Sequence, residues 1–390
     1  MHIERGKYMS SSKITRVSRI QGTLLGLAWG DVFGCPVEGW RSGQIRETYG
    51  HYESLPDEYD FQLLSLRGKK VLKKIRPLGL HSDDTQQAMA LLACCMGEGG
   101  WSLQKWSTYL VEGMRTGAWR GYGRNFTAAV HKLKKGSVPE QAGSESAGMG
   151  AAMRIAPLGG LYADESESLA QVVMESCLVT HGDIRAGSLA YAVAWTAAAF
   201  VRGEDVEQII AQLPDAVEAV EREWLEGRAD WTIERGAGHL VSETIRKAFE
   251  KKLNSAQDIQ QCVHRLAKPH LAKGFVKAHP NQGFVLLGGL HGLLMAILGG
   301  DDPQRILGQI VRLGYDTDTV AAICGGILGA RFGSEWIPVS RFLDRERIEV
   351  YAEAIVSGDA PEEMEVFMEK EAAWSKREDD FQAELLRTYL

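Results

Sequence analysis

The stretch from Leu313 to Gly333, LGYDTDTVAAICGGILGARFG, places two aspartates and two threonines directly before an apolar segment that is rich in glycine. Apolar residues recur three and four positions apart from Val320 to Leu328, which predicts a buried helix. Asp and Thr are favoured at a helix N-cap, where their oxygens accept hydrogen bonds from free backbone N–H groups. A cap needs one such residue. Two aspartates beside a buried helix repel each other unless a cation lies among them.

The glycines within the predicted helices need a separate explanation, because each costs about 1 kcal/mol relative to alanine in a helix interior. They recur in GFVLLGGLHGLLMAILGG, which begins at Gly283. Glycine allows two backbones to approach closely, so we expect helices packed tightly against one another. This second segment is interrupted by His291 and by several glycines, which favours a buried helix over a membrane span.

A second acidic cluster lies far upstream, in GLHSDDTQQAMALLACCM, where Ser82, Asp83, Asp84 and Thr85 again precede an apolar helix. Either cluster alone is typical of a helix cap. Together they offer four carboxylates and several hydroxyls, which are hard oxygen ligands, without a Cys–His pattern. This donor set predicts Mg²⁺, with Mn²⁺ as the alternative, rather than zinc, and four carboxylates suit two ions better than one.

The composition of the whole chain is that of a globular protein. It has 390 residues, of which 45% are hydrophobic and 24% charged, and a formal net charge of -7 that argues against a general nucleic-acid surface. Six cysteines without CxxC pairs favour reduced thiols and a cytoplasmic location. The N-terminal MHIERGKYMSSSKITRVSRI lacks the apolar core of a signal peptide or anchor, so no membrane role is expected.

Helical periodicity dominates the sequence. We expect the chain to have three parts. Residues 1–18 are expected to form a flexible lead, residues 19–358 a single domain, and residues 359–390 a charged helical appendage, either packed or partner-binding. The segment from His51 to Leu80 contains Pro56 and a basic cluster, and it predicts a hairpin or a solvated irregular loop.

Five motifs, in this order, resemble the ADP-ribosylglycohydrolase family over roughly Ile20 to Pro338. They are GLAWGDVFGCPVEGW, HSDDTQQAMAL, RGYGRNFTAAV, SAGMGAAMRIAPLGG followed by THGDIRAGSLAYA, and GYDTDTVAAICGGILGA. The resemblance implies an all-α fold, a single large orthogonal helical bundle, with a two-ion magnesium centre. The ligands it implies are Ser82, Asp83, Asp84, Asp316, Asp318 and Thr319, with Asp318 bridging both ions.

The resemblance also implies roles for residues outside the acidic clusters. Glu38 corresponds to an acid on a mobile flap over the site, where Gly30, Gly34 and Gly39 would let the chain bend. Glu38, Asp83 and Asp84 are therefore the candidates for proton transfer, and the sequence does not choose among them. The implied contacts to ADP-ribose are made by Gly121, Gly123, Ser146, Gly148, Gly150 and His181.

Three positions depart from the family pattern. Ser82 stands where threonine is common and keeps the hydroxyl, whereas Met149 stands where asparagine is common and loses an amide. Tyr315 replaces a small residue.

The activity implied is hydrolysis of the glycosidic bond between ADP-ribose and an acceptor, with ADP-ribosyl-arginine on a protein preferred. A negative site would attract a guanidinium leaving group. The alternatives are O-linked ADP-ribose or a small ADP-ribosylated metabolite as substrate, a non-catalytic ADP-ribose-binding member of the family, and a metal-dependent phosphohydrolase.

Overall fold

The computed structural model describes residues 14–227, 240–271 and 278–389, and within these ranges the chain is helical, without a β-strand. The α-helices are α1 (Arg16–Gly34), α2 (Ser42–Tyr49), α3 (Phe61–Ser65), α4 (Lys69–Leu72), α5 (Asp83–Met96), α6 (Leu103–Thr116), α7 (Arg124–Lys134), α8 (Ala156–Leu161), α9 (Ser166–Leu178), α10 (Ile184–Arg202), α11 (Val206–Gly227), α12 (Val241–Phe249), α13 (Ala256–Ala267), α14 (Leu290–Leu298), α15 (Pro303–Val311), α16 (Thr317–Phe332), α17 (Arg345–Ser357) and α18 (Phe367–Tyr389). Short 3-10 helices occur at Cys35–Val37, Pro139–Gln141, Lys268–His270, Val339–Arg341 and Glu362–Met364, and a π-helix at Val285–Gly289. The all-α fold class is confirmed.

Helices α1 and α16 form the most extensive helix pair in the protein, and glycines lie along their contact. A Cβ added to Gly325 would lie 2.2 Å from the carbonyl oxygen of Gly26, and one added to Gly329 would lie 1.8 Å from that of Gly22. Real side chains do not tolerate such distances, so only glycine permits this approach. The prediction that helical glycines mark tight helix packing is confirmed. The same contact brings the end of α1 beside the start of α16.

Helix α10 runs through the interior, and all its residues from Ile184 to Val201 are buried. The Asp183 side chain caps its N-terminus by accepting from the Arg185 N–H at 2.9 Å, and Gly203 ends it in the left-handed conformation. This helix is long and apolar enough to cross a membrane, but its apolar window is entirely buried within the protein. It is therefore accounted for as a core helix.

The ends of the chain differ from the predicted division. Residues 1–13 of the predicted N-terminal lead lie outside the described residues, and α1 already begins at Arg16, with Thr15 as its N-cap. In residues 359–390, of which the last is not described, helix α18 packs into the body of the protein and buries Phe367 and Leu385. Of the two alternatives for this segment, the structure has the packed one.

The basic segment was predicted as a hairpin or a loop, and that prediction was wrong in part. It contains the short helices α3 and α4, joined by a turn at Gly68. Two of its cations are at least partly buried and bind other parts of the protein. Arg67 donates to Thr48 at 2.8 Å, and Arg76 is only 6% exposed. Their partners lie elsewhere in the chain, which local sequence periodicity does not reveal.

Candidate metal centre and substrate cavity

A cavity of about 590 Å³ lies where α5, α7 and α16 begin and where the chain leaves α1. Most of the predicted site residues line it, namely Glu38, Asp83, Asp84, Gly121, Gly123, Gly148, Gly150, His181, Asp316, Asp318 and Thr319. Ser82 and Ser146 do not line it but contact residues nearby. The fold thus brings together motifs that lie far apart in the sequence, while their individual roles stay predictions.

The first acidic cluster is held by a carboxylate from α1. Asp31 accepts hydrogen bonds from the Ser82 N–H at 2.9 Å, the Thr85 N–H at 3.1 Å and the Thr85 hydroxyl at 2.6 Å. Ser82 is the N-cap of α5, and its hydroxyl donates to Asp84 Oδ2 at 2.9 Å. Asp31 therefore does much of the capping, which leaves the Asp83 and Asp84 carboxylates directed to the cavity.

The second acidic cluster is positioned by backbone contacts. Asp316 is the N-cap of α16 but makes no side-chain capping hydrogen bond. Its N–H donates to the Asn281 carbonyl at 3.1 Å, and Thr317 donates through its hydroxyl to the Gly34 carbonyl at 2.9 Å. Capping by the Asp316 side chain therefore does not account for the carboxylates of this cluster, which line the cavity.

Burial and mutual repulsion disfavour the charged form of these aspartates. Burial raises the pKa of Asp83 to about 7 and that of Asp316 to about 6. Burial, together with neighbouring carboxylates, raises the pKa of Asp84 and Asp318 well above the ordinary value. A cation among these groups would remove the repulsion.

The donor set fits divalent cations. Asp84 Oδ1 and Asp318 Oδ1 are buried without a hydrogen-bond partner, which is costly for a carboxylate unless a cation satisfies it. The lining donors from Asp83, Asp84, Asp316, Asp318 and Thr319 are all oxygens, as Mg²⁺ and Mn²⁺ prefer. The residues present therefore fit a hard divalent ion.

Two further groups of possible ligand atoms lie close together, within 4.8 Å in each case. Asp31, Cys35 and Asp318 form the first, which shares Asp318 with the cavity lining, and the Cys35 thiol donates to Asp31 Oδ1 at 3.1 Å. His81, Asp344 and Glu371 form the second. Arg120 and Arg347 already pair with Glu371, so these two arginines supply the positive charge in the second group.

Glu38 lies at the cavity mouth, on a loop that is tied down by backbone hydrogen bonds. The Gly39 N–H donates to the Tyr315 carbonyl at 2.7 Å, and the Tyr315 N–H donates to the Trp40 carbonyl at 2.6 Å. Lys74 lies 3.4 Å from Glu38 Oε1. The loop carrying Glu38 is thus joined directly to the loop carrying Asp316.

The expectation that three glycines let this loop bend was wrong for two of them. Gly30 and Gly34 lie inside α1, where an added Cβ would meet Ala321 O at 2.0 Å and Asp318 Cα at 2.5 Å. They serve close packing of α1 against α16. Gly39 alone lies in the loop, with a φ of 78° that side chains rarely adopt.

The opposite wall offers backbone N–H groups to an anion. Gly123 is the N-cap of α7, and a Cβ added there would meet no atom within 4 Å. Arg124 and Asn125 follow it in the cavity lining. Free N–H groups and the positive end of the helix dipole favour a phosphate at this position.

His181 packs under the loop that contains Gly148 and Gly150. A Cβ on Gly150 would lie 2.9 Å from His181 Cε1, and Thr180 Oγ1 lies 2.8 Å from His181 Nδ1. Burial, with the nearby Arg154 guanidinium, lowers the pKa of His181 to about 3. Burial thus favours the neutral imidazole, which lines the cavity.

Met149 is buried at the cavity wall against Gly288, where an added Cβ would lie 2.6 Å from its Sδ. Ser146 accepts a hydrogen bond from the Asn125 amide at 2.7 Å and so connects this loop to α7. The amide that asparagine would bring in place of Met149 is absent, and a thioether occupies the wall instead.

Sequence reasoning missed several residues that support the site. Arg154 donates to Gln87 Oε1 at 2.6 Å, and Gln87 donates to Asp83 Oδ2 at 3.1 Å, which orients the aspartate. Asn281 donates to the carbonyls of Ile310 and Gly314 at 2.9 Å each and so shapes the turn before Asp316. Asp31, Gln87 and Arg154 lie within the quoted motifs and were detectable there, whereas Asn281 lies outside them.

Tyr315, which had no explanation from sequence, now has a structural one. Its φ of 66° is the left-handed conformation, and it is the one non-glycine residue of positive φ among the described residues. The backbone hydrogen bonds to Gly39 and Trp40 hold that conformation, and its ring stacks on His279 with centroids 4.0 Å apart. Tyr315 lines the cavity beside Asp316.

This chain is similar to known proteins in sequence and in fold. The family model described as ADP-ribosylglycohydrolase matches residues 12–364, and the chain belongs to the ADP-ribosylglycohydrolase family. The suspected resemblance is therefore confirmed, and membership supports a hydrolase.

Curated relatives are distant. An uncharacterized protein of Archaeoglobus fulgidus is 27% identical over 314 residues, covering 80% of this chain and 87% of that protein. ADP-ribosylhydrolase ARH3 of Mus musculus is 24% identical over 349 residues, covering 83% of this chain and 86% of that protein.

A solved structure described as an ADP-ribosylglycohydrolase-related protein complex superposes with a TM-score of 0.60 at 24% identity, covering 88% of this chain and 99% of that chain. At this identity the likeness shows the fold alone.

Proposed function

We propose that this protein is a magnesium-dependent hydrolase that cleaves the glycosidic bond between ADP-ribose and an acceptor, with ADP-ribosyl-arginine on a protein as its preferred substrate. It would reverse ADP-ribosylation. Its six free cysteines suit the cytoplasmic location expected from the sequence.

One observation carries the proposal. Four aspartates from the two chain-distant clusters line one cavity, and two of their buried oxygens, Asp84 Oδ1 and Asp318 Oδ1, have no hydrogen-bond partner among the described residues. Such an arrangement is unfavourable without cations and appropriate with them. Structural caps do not require it.

The residues that would hold the ions are Asp83, Asp84, Asp316, Asp318 and Thr319, with the Ser82 hydroxyl beside Asp84. Divalent cations there would supply Lewis acidity and orient oxygens of the substrate.

The protein's own groups would position ADP-ribose across the cavity. The N-terminus of α7 at Gly123 and Arg124 would take the diphosphate, and the Gly148 loop over His181 would bound the ribose. Glu38 lies at the mouth, where an acceptor would leave, and it is the best placed carboxylate to exchange a proton with the departing group. Nearby aspartates would stabilise positive charge developing at the anomeric carbon.

The preference for arginine rests on charge and shape at the mouth. Glu38 and Asp316 line the cavity together with the half-buried Tyr315. A guanidinium pairs with carboxylates and stacks on aromatic rings, whereas a serine hydroxyl does neither. The buried Met149 in the cavity wall would position the ribose differently than an asparagine at the same place would. O-linked ADP-ribose is therefore the competing substrate.

The test is a release assay on paired substrates. Purified protein is incubated with arginine-linked and serine-linked ADP-ribosyl peptides of the same sequence context, with Mg²⁺ or with EDTA, and free ADP-ribose is quantified. We expect faster release from the arginine peptide and none in EDTA. Faster release from the serine peptide would reverse the acceptor assignment, and undiminished release in EDTA would remove the metal from the proposal.

A matched pair of variants ties the result to the site. Asp318→Asn removes one proposed ligand, and Asp359→Asn makes the same chemical change on the exposed surface. Changes next to metal ligands typically cost about 10- to 100-fold, so loss of a ligand should reduce release by at least the upper end of that range. Asp359→Asn should match the wild type. Normal activity of Asp318→Asn would refute the assignment. Binding of ADP-ribose without release from any linkage would favour a non-catalytic binding protein.

A further inference from the structure

The C-terminal helix α18 supplies two carboxylates to the region behind the proposed metal centre. Glu371 is fully buried and Glu378 is 7% exposed. Buried glutamates are rare unless they are paired, so each of these two carboxylates is expected to have a partner. The family match ends at residue 364, before this helix begins at Phe367. These carboxylates therefore come from a segment that the family model does not cover.

Glu371 connects elements that carry site residues. It accepts from the Gln86 amide at 2.5 Å on α5, and it pairs with Arg120 at 2.8 Å. Arg120 directly precedes Gly121 of the cavity, and it also donates to the His81 carbonyl at 2.9 Å, next to Ser82. Although burial opposes the charged form, Arg120 and Arg347 hold the pKa of Glu371 well below its usual range. Glu371 is thus a charged anchor for the loops on two sides of the cavity.

Glu378 holds a cation that faces the aspartates. It pairs with Arg76 through Nε at 3.2 Å, while Nη1 of the same guanidinium donates to the Cys35 thiol at 3.1 Å. The third nitrogen, Nη2, and Asp83 Oδ1 lie 2.4 Å and 3.0 Å from the position that a Cβ would take on Gly121. Arg76 therefore approaches the acidic cluster from behind. Arg76 does not line the cavity, because the contacts of its other two guanidinium nitrogens keep the side chain outside it.

We propose that α18 is a positioning element for the metal centre. Glu378 holds Arg76 at a position where the guanidinium charge offsets the charge of the aspartates. At that position Arg76 does not take the place of a divalent cation. This inference rests on the proposed metal centre. A guanidinium released from Glu378 and driven by the nearby negative charge would pair with Asp83 directly. It would then compete with the cation for that carboxylate.

The test measures metal affinity rather than catalysis. Mn²⁺ binding to the full chain is followed by electron paramagnetic resonance or calorimetry at constant pH. Glu378→Gln keeps the shape of the side chain and removes the charge. Glu384→Gln makes the same change at an exposed position of the same helix. We expect the Mn²⁺ dissociation constant to rise about tenfold in Glu378→Gln and to stay at the wild-type value in Glu384→Gln.

A double-mutant cycle separates positioning from general destabilisation. In an Arg76→Met background the competing cation is absent, so Glu378→Gln should no longer weaken Mn²⁺ binding. The inference is overturned if Glu378→Gln binds Mn²⁺ as the wild type does, or if its effect is undiminished in the Arg76→Met background. If Glu378→Gln does not fold, Arg76→Lys decides, because one ammonium cannot reproduce the fixed pair of contacts that the guanidinium makes with Glu378 and Cys35. Wild-type affinity in Arg76→Lys would then refute the proposal.

The failure of this inference is distinguishable from failure of the proposed function. A wild-type protein that binds no Mn²⁺ or Mg²⁺ would overturn the metal centre itself, and the positioning role would fall with it. Normal metal binding by the wild type with no effect of Glu378→Gln would leave the proposed hydrolase intact and remove only the role of α18.

Discussion

Replacing Gly325 by alanine tests whether the contact of α1 with α16 sets the stability of the protein. The new Cβ would lie 2.2 Å from the Gly26 carbonyl oxygen and 3.0 Å from its carbon. A carbon and a carbonyl oxygen normally approach no closer than about 3.3 Å, so the two helices must separate locally by about 1 Å. Both clashing atoms belong to the backbone, so no change of rotamer relieves the contact.

The expected loss follows from two opposing terms. Overpacking a core costs about 1–3 kcal/mol, and a backbone clash belongs at the upper end of that range. Alanine recovers about 1 kcal/mol of helix propensity. The net loss is therefore about 2 kcal/mol. A second substitution, Gly26→Ala, should cost less in the Gly325→Ala background than alone, because the helices have already separated.

Urea unfolding of wild type and variants measures this loss. The control is Gly43→Ala in α2, where an added Cβ meets no atom within 4 Å, so that variant should equal or exceed the wild type in stability. Gly325→Ala should unfold at a lower urea concentration. If it behaves like Gly43→Ala, the reasoning about this helix contact is refuted.

Three further outcomes are expected. Glu38→Gln should lower the rate of ADP-ribose release by about 100-fold or more while ADP-ribose binding changes little, which single-turnover and binding measurements distinguish. Because burial raises the pKa of Asp83 to about 7 and of Asp316 to about 6, the folded cation-free protein binds protons that the unfolded chain releases. In EDTA the free energy of unfolding of the wild type, relative to that of Asp83→Asn at the same pH, should therefore fall as pH rises from about 5 to about 8, whereas a difference independent of pH there would contradict these pKa values. Mg²⁺ should raise the melting temperature of the wild type but not of Asp318→Asn, as thermal scans at increasing Mg²⁺ can check.

Much of the fold was predictable because its decisive features are local. The apolar periodicity of residues such as Val320 to Leu328 indicates buried helices, and glycines that oppose helix propensity indicate close helix contacts. The role of Gly30 and Gly34 was not predictable in this way. A glycine needed for packing and a glycine needed for bending look alike until the neighbouring helix is known.

The acidic part of the site was predictable since two clusters of aspartates exceed what capping needs. The supporting residues were not, because their partners are distant in sequence. Arg76 appears within a basic cluster that suggests a solvated loop, and Glu378 appears within a charged terminal helix. Only the fold brings the two side chains to 3.2 Å and buries them. A charge pattern alone does not distinguish a surface ion from a buried ion pair.

The pairing of α1 with α16 has a consequence for how the chain acquires its fold. Residues 16–34 and 317–332 are neighbours in space but are separated by most of the polypeptide. Contacts of such high sequence separation form slowly, because closing a long loop costs entropy before any contact offsets it. During synthesis the face of α1 that carries its glycines is therefore not packed against α16 until α16 has emerged from the ribosome. The aspartates of the two clusters meet only at that stage, so the proposed cation site does not exist before α16 has been synthesised.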